Sequence, residues 1–132
     1  MRRLCLMLLL GLGAAGVQAQ SLMEHEVQRM LEQVARESNV GTPRAINSDL
    51  LDQGYAVDGT TLVNYISVQP RHAALMRANP GDVRRQLARS VCQNSGYRRL
   101  LQNGATLRYE FSEYKSNRPV ASEVFRSTDC RS

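Results

Sequence analysis

Two cysteines, Cys92 and Cys130, constrain this 132-residue chain more than any other feature of its sequence. They are the pair that remains once the predicted N-terminal leader is removed, because Cys5 leaves with it. An even cysteine count in an exported chain predicts one intramolecular disulfide. Closing this loop of 39 residues is worth about 4 kcal/mol in the chain-entropy model. We therefore expect a helix that ends near the first cysteine to be tied to the C-terminal strand.

The leader is predicted from residues 1–19. Two arginines precede the apolar run LCLMLLLGLGAAGV, and the small residues Val17 and Ala19 stand at positions −3 and −1 of a cleavage site. The run is shorter than the roughly 20 residues of a membrane span. We expect a single domain over residues 20–132, without a transmembrane segment in the mature chain, in the periplasm or outside the cell.

Residues 21–38 predict an amphipathic helix. Ser21 and Glu24 have the spacing of a capping box, in which each side chain bonds an unpaired amide at the helix start. Two interpretations stay open: the apolar stripe packs on a sheet, or the helix is a mobile arm that docks on a partner. The stripe consists of Met23, Val27, Met30, Leu31 and Val34.

The strands are predicted from alternation and turn residues. Asp58-Gly59 favours a tight hairpin that leads into the strand Thr61–Val68, where Asn64 is a polar exception on the core-facing side. Gln53-Gly54 could mark a bulge in the preceding strand. The run ATLRYEFSEY alternates cleanly, and a return strand follows over Val120–Ser127.

Between the two strand pairs, the sequence predicts a helix that starts at Asn79-Pro80 and a short second helix over Tyr97–Gln102. The residues Gln69–Ala78 are interpreted as a connection. The order of elements predicts an α+β fold of two layers. We expect a four-stranded antiparallel sheet with helices on one face and one disulfide.

Basic residues are concentrated in the middle of the chain, whose net charge is +5. Three interpretations stay open: a solvated helix surface, a face for an anionic partner such as an acidic protein surface, or self-association with the acidic N-terminal helix of a second copy. Few aromatic residues interleave with the basic ones, so nucleic acid is not expected. The predicted face consists of Arg84, Arg85, Arg89, Arg98 and Arg99.

No motif indicates catalysis, a metal or a cofactor. His25 lies between Glu24 and Glu26, but consecutive helical residues point about 100° apart and do not converge on one ion. The cysteines lack zinc-site spacing, and no GxSxG or Gly-rich phosphate loop occurs. We expect a protein that is not an enzyme, with an undetected hydrolase as a lesser alternative.

The segment SVCQNSGYRRLLQNGATLRYEF, together with the terminal STDC, resembles a family of small secreted bacterial proteins that includes a quorum-sensing-regulated virulence factor. The resemblance covers the mature chain and implies that Cys92 and Cys130 form a structural bridge. It implies how expression of the protein is regulated, by quorum sensing in connection with virulence, and does not imply a chemical reaction. The layout also looks like that of secretin-piloting proteins of type II secretion, which suggests as an alternative an accessory that binds a partner helix in a groove.

Overall fold

A computed structural model of the chain describes residues 22–131. The predicted leader, its cleavage site and the capping residue Ser21 lie outside the described residues. Between residues 22 and 131, no helix is both long and apolar enough to span a bilayer.

Five strands form one sheet in the order β1-β2-β3-β4-β5. Neighbouring strands are antiparallel except for β3 and β4, which run parallel. The strands are β1 (Arg44–Ala45), β2 (Leu50–Asp58), β3 (Thr61–Val68), β4 (Thr106–Glu113) and β5 (Pro119–Phe125).

Four α-helices accompany the sheet. The first, α1, covers residues 22–38, and a short 3-10 helix follows β5 at Ser127–Cys130. The other three form the connection between β3 and β4: α2 (Pro70–Ala78), α3 (Pro80–Gln93) and α4 (Ser95–Gln102).

The prediction of a four-stranded antiparallel sheet is wrong. The helices α2, α3 and α4 carry the chain back to the end of the sheet where β3 began, so β4 starts beside Thr61 and runs in the same direction. The segment interpreted as a connection is itself the helix α2, with Pro70 at its first turn. The strand that was not predicted is β1, which has only two residues. Two residues are too few to produce an alternating pattern. The fold remains α+β.

The helices pack on one face of the sheet in two separate apolar clusters. The closed cluster joins α1, α3 and α4 to the sheet, and the open cluster joins α2 to it. The closed cluster consists of Leu31, Ala35, Leu62, Val91, Leu100, Leu101, Ala105, Leu107 and Phe125. The open cluster consists of Ile66, Val68, Ala73, Met76 and Phe111.

The helix α1 packs against the core as the first interpretation expected. Leu31 is fully buried and Ala35 is 7% exposed, both within the closed cluster. Val27, Met30 and Val34 pack partly against the same cluster, whereas Met23 is 70% exposed. The stripe therefore covers the sheet from its second turn onward.

The predicted disulfide is present. Cys92, near the end of α3, is bonded to Cys130 with their Cα atoms 5.2 Å apart. Arg84 adds a second tie to the same region, because its guanidinium pairs with Glu123 at 2.7 Å and Asp129 at 3.2 Å and lies over the ring of Phe125. Helix α3, strand β5 and the chain end thus form one cross-linked corner.

Candidate functional site

A groove of about 710 Å³ lies where the two clusters leave the sheet uncovered. Its floor consists of side chains from β2, β3 and β4, and its wall comes mainly from α2 and from α3 as far as Ser90. Cavities of a few hundred to about 1,000 Å³ with apolar walls and a few polar groups are the usual form of binding sites. The lining residues are Ile46, Leu50, Asp52, Tyr55, Asn64, Ile66, His72, Leu75, Met76, Asn79, Asp82, Val83, Gln86, Leu87, Ser90, Tyr109 and Phe111.

The rim of the groove exposes large apolar side chains. Leu75 on α2 is 57% exposed and Ile46, after β1, is 53% exposed. Val83 and Leu87 on α3 are only half-buried, although the helical spacing predicts them to face the core together with the fully buried Val91. The first half of α3 therefore offers apolar surface to whatever occupies the groove.

The groove floor contains a buried polar pair, Asp52 and Asn64. Asp52 is 5% exposed and Asn64 is 6% exposed. The Asn64 amide Nδ2 donates to Asp52 Oδ1 at 2.9 Å and to the Gly54 carbonyl at 3.1 Å, and the Gly54 N–H also donates to Asp52 Oδ1 at 2.9 Å. These bonds stabilise the position of both side chains on an otherwise apolar floor.

A bulge in β2 creates this arrangement. The register between β2 and β3 shifts between Asp52 and Gly54, as the Gln53-Gly54 pair predicted. Gly54 has a φ of +118°, a backbone conformation that a residue with a side chain adopts only with strain. The extra residue turns the Gly54 amide toward the Asp52 carboxylate. The sequence singled out Asn64 but not Asp52, and the only local signal for Asp52 was its place beside the bulge.

Three tyrosines meet between the groove and the closed cluster. The hydroxyls of Tyr55 and Tyr97 are 3.4 Å apart. The ring of Tyr109 lies edge-on to Phe125, with ring centroids 6.1 Å apart. Burial, and for Tyr55 also the hydrogen bond with Tyr97, raises the pKa of Tyr55 and of Tyr109 well above the usual tyrosine value. Both hydroxyls therefore stay protonated to a higher pH than the hydroxyl of an exposed tyrosine.

The groove also contains a histidine and a serine. His72 Nδ1 lies 3.9 Å from the Asp49 carboxylate. No hydrogen bond joins His72 to Ser90 within residues 22–131, and the same residues contain no group of three or more His, Cys, Asp or Glu side chains placed to hold a metal. His72 and Ser90 are therefore not joined in the way that a base and a nucleophile are in a catalytic site.

The predicted arginine face is divided by the fold. Arg84 is engaged with Glu123, Asp129 and Phe125 as described above, and its pKa is raised, chiefly by the hydrogen bond to Glu123. Arg85 pairs with Asp82 on its own helix at the groove rim. Both guanidinium groups thus already have acidic partners within the chain.

The remaining three residues of the face, Arg89, Arg98 and Arg99, are exposed. Within the described part of the chain, none of them forms an ion pair. Arg98 lines a shallow depression beside Cys130 and Arg131. Binding of an anionic partner by this reduced set stays a prediction.

Two comparisons with known proteins bear on the chain as a whole. A family model described as "Putative quorum-sensing-regulated virulence factor" matches residues 20–131. A search of curated proteins found no match.

Solved structures add three similar folds. A "putative secreted protein" from Pseudomonas aeruginosa is 58% identical, with a TM-score of 0.81 over 83% of this chain and 97% of its own. A pilotin of the Vibrio vulnificus type 2 secretion system has 13% identity and a TM-score of 0.66, over 85% and 98% of the two chains. A type II secretion system pilotin from Vibrio cholerae has 14% identity and a TM-score of 0.64, over 85% and 99%.

The secreted neighbour confirms the expected localisation, secreted or periplasmic, and the disulfide agrees with it. The two pilotins share the fold alone at their low identity.

Proposed function

The chain belongs to the family of "putative quorum-sensing-regulated virulence factors", and from this premise we propose that it is an exported, non-enzymatic interaction protein. Its binding site is the groove between the sheet and the helices α2 and α3. Its ligand is an amphipathic helix of a partner protein.

One observation carries this proposal: the groove exposes apolar side chains on wall and rim while its floor is already ordered. Leu75, Ile46 and the half-buried Leu87 leave apolar surface in contact with water. Covering such surface is favourable by roughly 25 cal/mol per Å². An apolar stripe spaced at i, i+3, i+4 and i+7 on a partner helix matches a groove of this kind.

The strand arrangement favours a helix over an extended peptide as the ligand. The floor is made of side chains from three neighbouring strands, β2, β3 and β4, whose backbone groups already pair with each other. An extended peptide in this groove would find no strand edge for its own backbone amides. A helix satisfies its backbone internally and presents only side chains.

A role without catalysis is supported by the chemistry of the lining. Asp52 is bonded to Asn64 and Gly54, and among residues 22–131 His72 has an ionic contact with Asp49 but no hydrogen bond to a hydroxyl. A hydrolase of the kind considered above needs a nucleophile, a base and an orienting group in mutual reach.

A second candidate narrows the partner to a component of a secretion system. It is supported by the two secretion-system pilotins that share this fold with TM-scores of 0.66 and 0.64. The geometry of the groove is the same in both proposals, so one experiment tests them together.

The test is photo-crosslinking in the producing cell, with a benzophenone amino acid at Leu75. The matched control position is Leu22, which is 65% exposed on α1 and lies outside the groove. We expect Leu75 to yield a protein adduct whose cross-linked peptide reads as an amphipathic helix, and Leu22 to yield none. An adduct with a secretion component would favour the second candidate.

Substitution at the same two positions gives the complementary result. Leu75→Glu places a charge on the groove rim and should reduce recovery of the partner by more than about tenfold, whereas Leu22→Glu should leave it unchanged. Equal adducts at both positions, or an adduct that is a lipid or small molecule, would contradict the proposal.

A further inference from the structure

We infer that the polar pair on the groove floor, Asp52 and Asn64, selects a partner helix that carries a lysine or arginine within its apolar stripe. This inference rests on the proposed function and specifies the partner. The cationic side chain would reach through the apolar contact and donate to the Asp52 carboxylate.

Two side-chain oxygens of the pair accept no hydrogen bond from the described residues. Two hydrogen bonds reach the Asp52 carboxylate, from the Gly54 N–H and the Asn64 amide, and both end on Oδ1. Among residues 22–131, no side chain or backbone group donates to Asp52 Oδ2 or to Asn64 Oδ1. A carboxylate can accept about four hydrogen bonds and an amide oxygen two. Two acceptor atoms on the groove floor are therefore left for a ligand.

The unpaired Asp52 oxygen remains reachable from the groove. The residue is 5% exposed, yet Arg108 Nε is the one fully buried side-chain nitrogen or oxygen without a hydrogen-bond partner among residues 22–131, so Asp52 Oδ2 keeps contact with the groove. A carboxylate in such a largely buried position is stabilised by pairing with a cation and by further hydrogen bonds. The Asn64 amide oxygen is a further unused acceptor on this residue pair, and lysine and arginine each carry several N–H donors.

The lining of the groove is acidic rather than basic. Its lining contains Asp52 and Asp82 but no lysine or arginine, although the chain has 17 basic residues. Asp82 pairs with Arg85 at the rim, and His72 faces Asp49. Asp52 is thus the one lining carboxylate that has no cationic partner within the described residues, and the groove is complementary to a positive group.

The test uses three synthetic amphipathic helices of about 18 residues, or five turns, on the mature, disulfide-bonded chain. They share an apolar stripe of leucines and differ at its central position, which is lysine, norleucine or glutamate. Isothermal titration measures each dissociation constant. We expect lysine to bind about tenfold more tightly than norleucine, and glutamate about tenfold more weakly.

Two variants locate the effect. Asp52→Asn should reduce the preference for lysine over norleucine to less than about twofold and leave norleucine binding within about threefold. Asp58→Asn is the matched control, because this carboxylate is exposed at the end of the same strand and does not line the groove, and it should keep the preference. Thermal unfolding checks that both variants fold; if Asp52→Asn does not fold, the ranking on the unsubstituted chain decides.

The outcomes separate the two proposals. Binding of all three peptides with equal affinity overturns the selection by Asp52 and leaves the groove as a helix site. A lysine preference that Asp52→Asn retains, or that Asp58→Asn abolishes to the same extent as Asp52→Asn, also overturns it. Failure of all three peptides to bind overturns the proposed function, and this inference with it.

Discussion

The closed and open clusters lie on the same face of one sheet, but they differ in how completely helices cover them. The closed cluster has nine buried residues and is overlaid by α1, α3 and α4, with the disulfide at its border. The open cluster has five and is overlaid by α2, with the groove beside it. The difference places most of the buried core at one end of the sheet and the groove, our proposed binding site, at the other.

The helix α3 belongs to both regions and shows how the separation arises. Its last turns bury Val91 completely, and Cys92 fixes that end to the tail. Its first turns leave Val83 and Leu87 half-exposed above the sheet. A helix fastened firmly at one end can leave apolar surface open at the other, because its position no longer depends on full burial.

The largest expected effect is loss of the disulfide. Replacing Cys92 and Cys130 together by serine should lower the free energy of unfolding by about 4 kcal/mol, since the unfolded chain regains the freedom of the 39-residue loop. Urea unfolding of the mature chain measures it. Reduction of the unsubstituted chain should give the same loss, and a change below about 1 kcal/mol would show that the corner is stable without the covalent tie.

Paired leucine truncations compare the two regions directly. Leu31 is fully buried. Leu31→Ala should therefore lower the free energy of unfolding by about 3 kcal/mol, because it leaves a cavity in the closed cluster. Leu75 is 57% exposed at the groove rim, so Leu75→Ala should cost less than about 0.5 kcal/mol. Equal losses in urea unfolding would mean that the two regions do not differ in their contribution to stability.

The smallest effect appears only at high pH, at the border between the regions. Tyr55 and Tyr109 have pKa values raised by burial in the folded chain. Their contribution to stability is complete below the unfolded tyrosine pKa of about 10 and is lost as pH rises above it. Tyr109→Phe should weaken this decline of stability above pH 10, measured by thermal unfolding against pH. An unchanged decline would exclude Tyr109 as a cause.

Local patterns predicted the elements whose evidence lies within a few residues. The strand β4 alternates through Leu107 and Phe111, and the Gln53-Gly54 pair marks the bulge. The disulfide was predicted differently, from the cysteine count and the family resemblance, although its two cysteines are far apart in sequence. The direction of β4 was not predictable in this way, because it depends on how three helices return the chain across the sheet. The strand β1 is too short for any periodicity to indicate it.

The groove was hidden for a related reason. It lies where the helices do not cover the sheet, and no local sequence pattern shows which part of a sheet will stay uncovered. Asn64 was the one visible signal, as a polar residue on a strand face predicted to be apolar. Its partner Asp52 lies on another strand, and only the β2–β3 register brings the two together. The ion pairs of Arg84 could not be predicted for a similar reason, because the acids that engage it, Glu123 and Asp129, are distant in sequence.

The most direct test of this account is amide chemical-shift mapping of the mature chain by NMR during titration with the lysine-containing amphipathic helix. The account predicts that shifts concentrate around Asp52, Leu75 and Leu87, while amides near Leu31 and Arg98 change little. Shifts concentrated instead around Arg98, or along α1, would contradict the assignment of binding to the open end of the sheet.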